Sequence, residues 1–190
     1  GVPIMDLPEE YLVWFKERGF PKGRLGELMA QVCEIKAVGM DSRVGSKFLN
    51  ASIGFGGSCF KKDILNMVYL CRYYGLNEVA DYWEGVVKIN DYQKERFVMN
   101  MLHAMFNTLA GKKICLFGFA FKADTGDTRE SPAIYIARRL AEEHAHIIIT
   151  DPKALDNAQN DLKDVVGKID YISDPYNAVS GCDAIAVMTE

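Results

Sequence analysis

Residues 112–118, with the sequence KKICLFG, form a short apolar run bounded by lysines on one side and a glycine on the other. An apolar run of this length is typical of a buried β-strand. Downstream, Ser131-Pro132 begins a predicted helix that continues to about Glu143, because serine is a good N-cap and proline suits the first helical position. Residues 146–150 then repeat the strand pattern. This strand–helix–strand order predicts parallel strands joined by a crossover helix.

The C-terminal part of the chain extends the same α/β pattern. Residues 161–167 predict a helix or turn, residues 174–181 a short helix and residues 183–189 a third strand. A doubly wound domain usually has more than three strands. We therefore expect a truncated, Rossmann-like parallel α/β domain over residues 111–190.

The chain before residue 111 is predicted to be helical. Apolar side chains at helical spacing indicate one helix over about residues 60–74 and a long helix over about residues 78–109. Residues 1–36 predict two short helices, the first of them capped by Asp6. The expected fold class is thus mixed α and α/β, with a short helical segment, a central helical region over residues 37–110, and the α/β domain.

The composition excludes several classes of protein. In 190 residues, 49% are hydrophobic and 25% are charged, which is ordinary for a globular protein and excludes a disordered tail or a collagen-like fibre. No apolar run approaches the roughly 18–20 residues of a membrane helix, and a net charge of −4 argues against a nucleic-acid partner. Five widely spaced cysteines predict reduced thiols in a cytoplasmic protein, with no metal site.

Residues 54–63, GFGGSCFKKD, place a cysteine where a glycine-rich loop enters a helix. Glycines let the backbone approach a ligand closely, and a helix N-terminus presents unpaired N–H groups. The helix dipole, Lys61 and Lys62 favour the thiolate of Cys59, the form that attacks a carbonyl carbon. Asp63 lies one turn later and can accept a proton or orient a water, although its charge opposes the thiolate. The alternative is a capped helix with a small buried cysteine.

The polar stretch 117–131, FGFAFKADTGDTRES, follows a predicted strand and precedes a helix, where α/β proteins bind nucleotides. It lacks the GxGxxG pattern, but Lys122 and Arg129 can hold phosphate or carboxylate groups. Asp151 ends the next strand, where dinucleotide-binding folds hold a ribose. Further upstream, Arg43 is a candidate anion contact between two glycines. Solvated polar loops are the alternative for these stretches.

Three stretches in this order resemble the UDP-glucose 6-dehydrogenase family: GMDSRVGSKFLNASIG, GFGGSCFKKD and GFAFKADTGDTRES. The similarity runs from about Ala37 to Glu190, and the related GDP-mannose enzyme is the nearest alternative. The resemblance implies an NAD-dependent, two-step oxidation of UDP-glucose to UDP-glucuronate. A cysteine holds the intermediate aldehyde as a thiohemiacetal and then as a thioester, which water hydrolyses.

The resemblance also implies roles for individual residues. Cys59 matches the nucleophile, and Asp63 matches the carboxylate that assists proton transfer and the hydrolytic water. Contacts to NAD are implied for Cys59, Lys62 and Arg129, and the long helix is expected to support a homo-oligomer. The implied substrate contacts are Arg43, which reaches a neighbouring subunit's substrate, and Phe48, Leu49, Asn50, Ser52, Phe55, Gly56, Gly57, Phe121 and Lys122. Of these, Asn50 departs from the lysine of the vertebrate-like pattern.

Two departures from the family qualify the expected activity. The family's Gly-rich NAD-binding domain precedes the region of similarity, so we expect this polypeptide to lack turnover on its own. The alternative is a catalytically inactive UDP-sugar-binding or dimerisation module. Residues 1–36 do not match the dehydrogenases and instead resemble a small bacterial family of quorum-regulated factors. A join near Lys36-Ala37 indicates a fusion, an engineered chain or a composite gene model.

Overall fold

The computed structural model describes residues 3–39 and 52–189. The chain divides into two compact units, residues 1–52 and residues 53–190. Among the helices in the described ranges, none has both the length and the apolar character needed to cross a membrane.

The first unit contains a 3₁₀ turn, Ile4–Asp6, and two helices, α1 (Glu9–Arg18) and α2 (Arg24–Gly39). The two predicted helices are confirmed, but the prediction that Asp6 caps the first is wrong. Asp6 closes the 3₁₀ turn, and Pro8 occupies the N-cap of α1 without a side-chain hydrogen bond. The small core of this unit consists of Leu12, Met29, Val32 and Cys33.

The second unit begins with two helices, α3 (Phe60–Tyr73) and α4 (Asn77–Ala104). The α3 bounds agree with the prediction, whereas α4 ends before the predicted Leu109. Phe106 and Asn107 adopt positive φ angles of 61° and 60°, which an α-helix cannot continue through. The two helices pack on each other through the buried side chains Ile64, Val68 and Ala80.

The rest of the second unit is a four-stranded parallel sheet with strand order β3-β2-β1-β4. The strands are β1 (Lys113–Phe117), β2 (His146–Thr150), β3 (Lys168–Tyr171) and β4 (Ala184–Val187). Three helices connect them: α5 (Pro132–Glu142), α6 (Leu155–Asp161) and α7 (Pro175–Val179). The expected mixed fold, with a long helix followed by parallel α/β structure, is confirmed.

Two details of the α/β prediction are wrong. The sheet has four strands in the described residues, not three, because β3 was not predicted. With the sequence KIDY, β3 has only two apolar residues, and none of its side chains is fully buried, so it gives no apolar run. The helix α6 (Leu155–Asp161) was also not predicted, whereas the predicted helix or turn at residues 161–167 is confirmed as a turn over residues 162–164 that follows α6.

Both faces of the central strands are buried, which explains why β1 and β2 read as continuous apolar runs. On one face, Ile114 and Ile147 join a core with α5, and on the other face Cys115 and Ile148 join Ala178 of α7. Full burial of one such aliphatic side chain contributes about 1.5–3 kcal/mol.

Ser131 joins α5 to the loop that follows β1. Its hydroxyl oxygen accepts a hydrogen bond from the Ala133 N–H at 3.3 Å, which confirms the predicted cap, and donates one to the Phe119 carbonyl at 2.8 Å. Since parallel strands end at the same edge of the sheet, this loop and the segment after β2 lie side by side.

Candidate functional site

Cys59 is the N-cap residue of α3, and its side chain is exposed. Its Sγ lies 3.8 Å from the Ser58 hydroxyl. The alternative of a buried cysteine at this position is therefore wrong. An exposed thiol at a helix start can reach a ligand in solution, which a core cysteine cannot.

Asp63 and Lys62 follow Cys59 in the first turn of α3. The Asp63 backbone N–H donates to the Cys59 carbonyl at 2.9 Å, so the helix fixes the spacing of the two residues. The side chains of Asp63 and Lys62 are both exposed. The helix thus holds a thiol and a carboxylate one turn apart at a solvent-facing end.

The loop before Cys59 packs against the loop after β1, about seventy residues later in the chain. The Gly57 N–H donates to the Arg129 carbonyl at 2.8 Å. A Cβ at Gly57, where φ is +82°, would lie 2.9 Å from the Phe121 ring. A Cβ at Gly56 would lie 2.7 Å from the Glu130 carbonyl oxygen. Neither position has room for a side chain, so close approach requires glycine at both, and the positive φ of Gly57 is a second reason there.

An ion pair ties α3 to the same loop. Lys61 Nζ donates to Glu130 Oε2 at 2.8 Å. This hydrogen bond raises the pKa of Lys61, although partial burial acts in the opposite direction. Lys61 is therefore committed to Glu130, which leaves Lys62 as the exposed lysine of the pair next to Cys59.

Arg129 is oriented by its neighbour Asp127. Its Nε and a terminal nitrogen donate to both oxygens of the Asp127 carboxylate at distances of 2.6–3.1 Å. These hydrogen bonds hold the pKa of Asp127 at about 2. They are also the main cause of the raised pKa of Arg129, to which Cys59 adds a smaller contribution. Arg129 thus lies within electrostatic range of the thiol.

Asp151 does not stand free to hold a ribose, as its place after β2 suggested. It is buried, and Oδ2 accepts from the backbone N–H groups of Phe119 and Ala120 at 2.7 Å and 3.1 Å. Oδ1 accepts from the N–H groups of Lys153 and Ala154 at 2.8 Å each. A carboxylate has about four lone-pair positions, so its capacity as an acceptor is filled. Burial alone would raise the pKa of Asp151, but the four donors together lower it.

A cavity of about 310 Å³ opens at the carboxyl ends of the strands. Its volume is at the lower end of the range for small-molecule sites. Lys122 lies on its wall, with Nζ 5.5 Å from the centre of the Phe121 ring. The other lining residues include Gly118, Thr125, Thr150, Asp151, Lys153 and Thr189.

The remaining predicted substrate contacts differ in exposure and in whether the structure describes them. Phe55 is half-buried, and its ring packs edge-on against Phe60 with centroids 4.7 Å apart. Ser52 is exposed. Four of the predicted substrate contacts lie outside the described residues: Arg43, Phe48, Leu49 and Asn50.

Asn90, which was not predicted as a site residue, contacts the backbone of Phe55 from α4. Asn90 is buried and lies four and eight residues before Lys94 and Val98, so it belongs to the buried stripe of the helix. The signal available in the sequence was an amide at a position that the helical period places in the buried stripe, because a buried amide needs hydrogen-bond partners. Within the described residues, no group of three or more His, Cys, Asp or Glu side chains is placed to hold a metal ion.

Comparison with family models gives three matches. The UDP-glucose/GDP-mannose dehydrogenase family matches through its central domain at residues 28–92 and through its UDP binding domain at residues 115–190. Residues 1–45 match a family described as a quorum-sensing-regulated virulence factor. The central-domain match at residues 28–92 and the match at residues 1–45 overlap.

Relatives at about 50% identity carry the name UDP-glucose 6-dehydrogenase. The protein from Caenorhabditis elegans is 52% identical over 169 residues, covering 85% of this chain and 35% of the worm protein. The protein from Mus musculus is 50% identical over 163 residues, covering 81% of this chain and 33% of the mouse protein. This chain therefore spans about a third of the length of these curated relatives.

Solved structures agree on the fold. A UDP-glucose dehydrogenase from Pyrobaculum islandicum superimposes with a TM-score of 0.70 at 32% identity, covering 82% of this chain and 35% of the archaeal chain. A GDP-mannose dehydrogenase from Pseudomonas aeruginosa superimposes with a TM-score of 0.65 at 19% identity, covering 85% of this chain and 37% of that chain, and this similarity concerns the fold alone.

Proposed function

Because the chain belongs to the UDP-glucose/GDP-mannose dehydrogenase family over residues 28–92 and 115–190, we propose that it is the nucleophile-bearing, substrate-binding part of an NAD-dependent UDP-glucose 6-dehydrogenase. The observation that carries the proposal is the exposed Cys59 at the start of α3. The loop before this cysteine packs on Phe121 and on the Arg129 backbone, which supports a site shared by the thiol and the residues expected to hold the sugar nucleotide.

The chemistry assigned to this chain is covalent capture of an aldehyde. The Cys59 thiolate attacks the carbonyl carbon at C6 of the sugar, a carbon–sulfur bond forms, and the carbonyl electron pair moves to oxygen, which takes a proton. NAD, when bound, would supply the oxidant that takes a hydride from the adduct and leaves a thioester. Water then attacks the same carbon, and the thiolate leaves. Asp63 lies one turn from Cys59 and is suited to accept the proton of that water.

The described residues do not form an NAD site of their own. In a dinucleotide-binding fold, backbone N–H groups after the first strand face the pyrophosphate. Here the N–H groups of Phe119 and Ala120 donate to the Asp151 carboxylate instead. We assign no step through NAD to this chain, and we assign Arg129 and Lys62 only as contacts at the edge of a cofactor. We therefore expect no turnover by the 190-residue polypeptide alone.

UDP-glucose is the proposed ligand, with Lys122 as the cation for its diphosphate. The lysine is exposed and lines the cavity at the strand ends, where parallel α/β proteins bind ligands. All five cysteines are unpaired, which supports a reducing, cytoplasmic location.

Calorimetry of the full chain with UDP and UDP-glucose tests this proposal. We expect both ligands to bind, Lys122→Met to weaken binding about tenfold through loss of a charge-assisted contact, and Lys168→Met to bind like the wild type. Lys168 is the matched control because it is an exposed lysine at the amino end of β3, whereas the cavity lies at the carboxyl ends of the strands. Absence of binding by the wild-type chain contradicts the proposal, and steady NADH formation with UDP-glucose and NAD contradicts the expected lack of turnover.

A second candidate function is a dimerisation module without catalysis, and α4 favours it. Tyr82, Ile89 and Tyr92 are 65–70% exposed and recur along one side of the helix together with Gly85 and Met99. An exposed apolar stripe of this kind marks a protein–protein interface. We propose that the long helix joins two copies of the chain, in the active enzyme as in the inactive module.

A further inference from the structure

Asn90 is a buried amide on the inner face of α4. Its exposed fraction is 5%, and removing an amide from water without hydrogen-bond partners is unfavourable. In the same stripe, Val98 and Leu102 contribute to the apolar core, and the other buried polar residue, Lys94, has its own partner in Asp91. The presence of a polar residue in this stripe therefore requires a specific partner.

The partner is the backbone of Phe55, in the loop that leads to Cys59. The Phe55 N–H donates to Asn90 Oδ1 at 2.7 Å, and Asn90 Nδ2 donates to the Phe55 carbonyl at 3.0 Å. The side-chain amide thus satisfies both backbone groups of one residue, as a neighbouring strand would. Because an irregular loop has few such partners of its own, this pair fixes its path on the side of α4.

The residue before Phe55 is shaped by the same contact. Gly54 has a φ of +127°, a backbone conformation that L side chains rarely adopt. A Cβ at this position would lie 2.8 Å from Asn90 Oδ1. Gly54 and Asn90 therefore form a matched set, in which the glycine lets the loop come close enough for the two hydrogen bonds.

The loop is held on its other side by the residues that follow β1. Gly57 donates to the Arg129 carbonyl, and Lys61 pairs with Glu130. Asn90 supplies the anchor to the helix, and these contacts supply the anchor to the α/β domain. Along the chain, Cys59 lies between the anchored residues Gly57 and Lys61 and four residues after Phe55.

We propose that Asn90 is a positioning residue that fixes the 54–57 loop and thereby places Cys59 relative to the bound sugar nucleotide. It acts through Phe55 and touches no reacting atom, so it is not a catalytic residue. This inference deepens the proposed function and rests on it for the identity of the ligand. The hydrogen bonds themselves and their effect on the loop do not depend on that identity.

Amide hydrogen exchange of the full chain tests the positioning role directly. In Asn90→Leu, a substitution of similar volume, we expect the Phe55 and Gly57 amides to exchange at least about tenfold faster, because two hydrogen bonds are lost. Asn90→Asp keeps an acceptor for the Phe55 N–H but replaces the donor, so it should give a smaller increase and serves if the leucine variant folds poorly. The matched control is Glu95→Gln, since Glu95 lies on α4 and binds Arg139 and Tyr135 of α5, away from the loop.

Alkylation of Cys59 links the loop to the ligand. With wild-type chain and with the Glu95→Gln variant, we expect saturating UDP-glucose to slow Cys59 labelling at least about tenfold, and Asn90→Leu to lose most of that protection at the same ligand concentration. The positioning role is overturned if the loop amides of Asn90→Leu exchange at the wild-type rate. It is also overturned if the amides along the whole of α4 exchange faster by the same factor as the loop amides. Absence of protection in the wild-type chain instead contradicts the proposed ligand, while the exchange result still decides whether Asn90 fixes the loop.

Discussion

At the scale of single residues, the five cysteines differ in how far solvent can reach them. Cys59 is exposed, whereas Cys33 and Cys115 lie in two separate cores. Burial raises the pKa of the Cys115 thiol to about 11. Cys71 and Cys182 are half-buried, so the fold leaves Cys59, at the start of α3, as the most accessible of the five thiols.

We predict that brief treatment with iodoacetamide near pH 8 modifies Cys59 first and Cys115 last, as followed by peptide mass spectrometry. At that pH a thiol with a pKa of about 11 is ionised in roughly one molecule in a thousand. The Cys59→Ser variant should lose the fastest-labelled site and keep the other rates. Earlier labelling of Cys33 or Cys115 would contradict the burial that the fold imposes on them.

Asp151 is predicted to make stability sensitive to acid. Its four backbone donors hold its pKa below the ordinary value in the folded state, although burial opposes this. The stabilisation is therefore present above the unfolded pKa of about 3.9 and is lost as pH falls through the lower folded value. Asp151→Asn, which cannot accept four such bonds, should lower the free energy of unfolding at pH 7 by about 2–4 kcal/mol.

Urea denaturation between pH 3 and pH 7 measures this effect. The wild-type free energy of unfolding should decrease below about pH 4, and the Asp151→Asn variant should show a shallower decrease. Asp156→Asn is the matched control, because Asp156 is an exposed carboxylate at the start of α6. Equal pH slopes in all three proteins would show that Asp151 is not the group that titrates with unfolding.

At the scale of elements, the contact between the 54–57 loop and the loop after β1 depends on glycine. Gly57→Ala would force an unfavourable positive φ and place a methyl group 2.9 Å from the Phe121 ring. Gly75 also has a positive φ, +74°, but a Cβ added there would meet no atom within 4 Å. A comparison of substitutions at Gly57 and Gly75 therefore distinguishes the cost of backbone strain from the cost of steric contact.

We predict that Gly75→Ala lowers the free energy of unfolding by about 1–2 kcal/mol, through backbone strain alone. Gly57→Ala should cost about 1–3 kcal/mol more, because the added methyl group overpacks the contact. In a Phe121→Ala background the extra cost should largely disappear, which a double-mutant cycle by urea denaturation will measure. If Gly57→Ala and Gly75→Ala lower the free energy of unfolding equally, the two loops separate easily and the contact with Phe121 adds no cost.

At the scale of the whole molecule, the exposed stripe on α4 is proposed to join two copies of the chain. Ile89, at the centre of the stripe, is 69% exposed. Ile89→Glu should convert a dimer into a monomer in sedimentation velocity, because a carboxylate would be buried without a partner in the interface. Val166→Glu, at an even more exposed apolar residue in the α/β domain, should remain dimeric. A monomeric wild-type chain at high micromolar concentration would refute the interface.

Signals in the sequence that act within a few residues predicted much of the fold. Apolar runs located β1 and β2, Ser131-Pro132 located the start of α5, and the glycine-rich stretch located Cys59 at the start of α3. β3 was not predicted because it is short and half-exposed. Its pairing with β2 provides the stability that its own sequence does not signal.

Apart from α6 and β3, the sequence by itself determined the order of helices and strands and the position of the candidate nucleophile, because caps, glycines and apolar periodicity act locally. Only the tertiary structure decided that Asp151 closes the loop after β1, that Asn90 holds Phe55 and that Glu130 holds Lys61. These contacts join residues 32, 35 and 69 positions apart, at distances of 2.7–2.8 Å. A hydrogen bond depends on position and direction in space, and separation along the chain specifies neither until the core has packed.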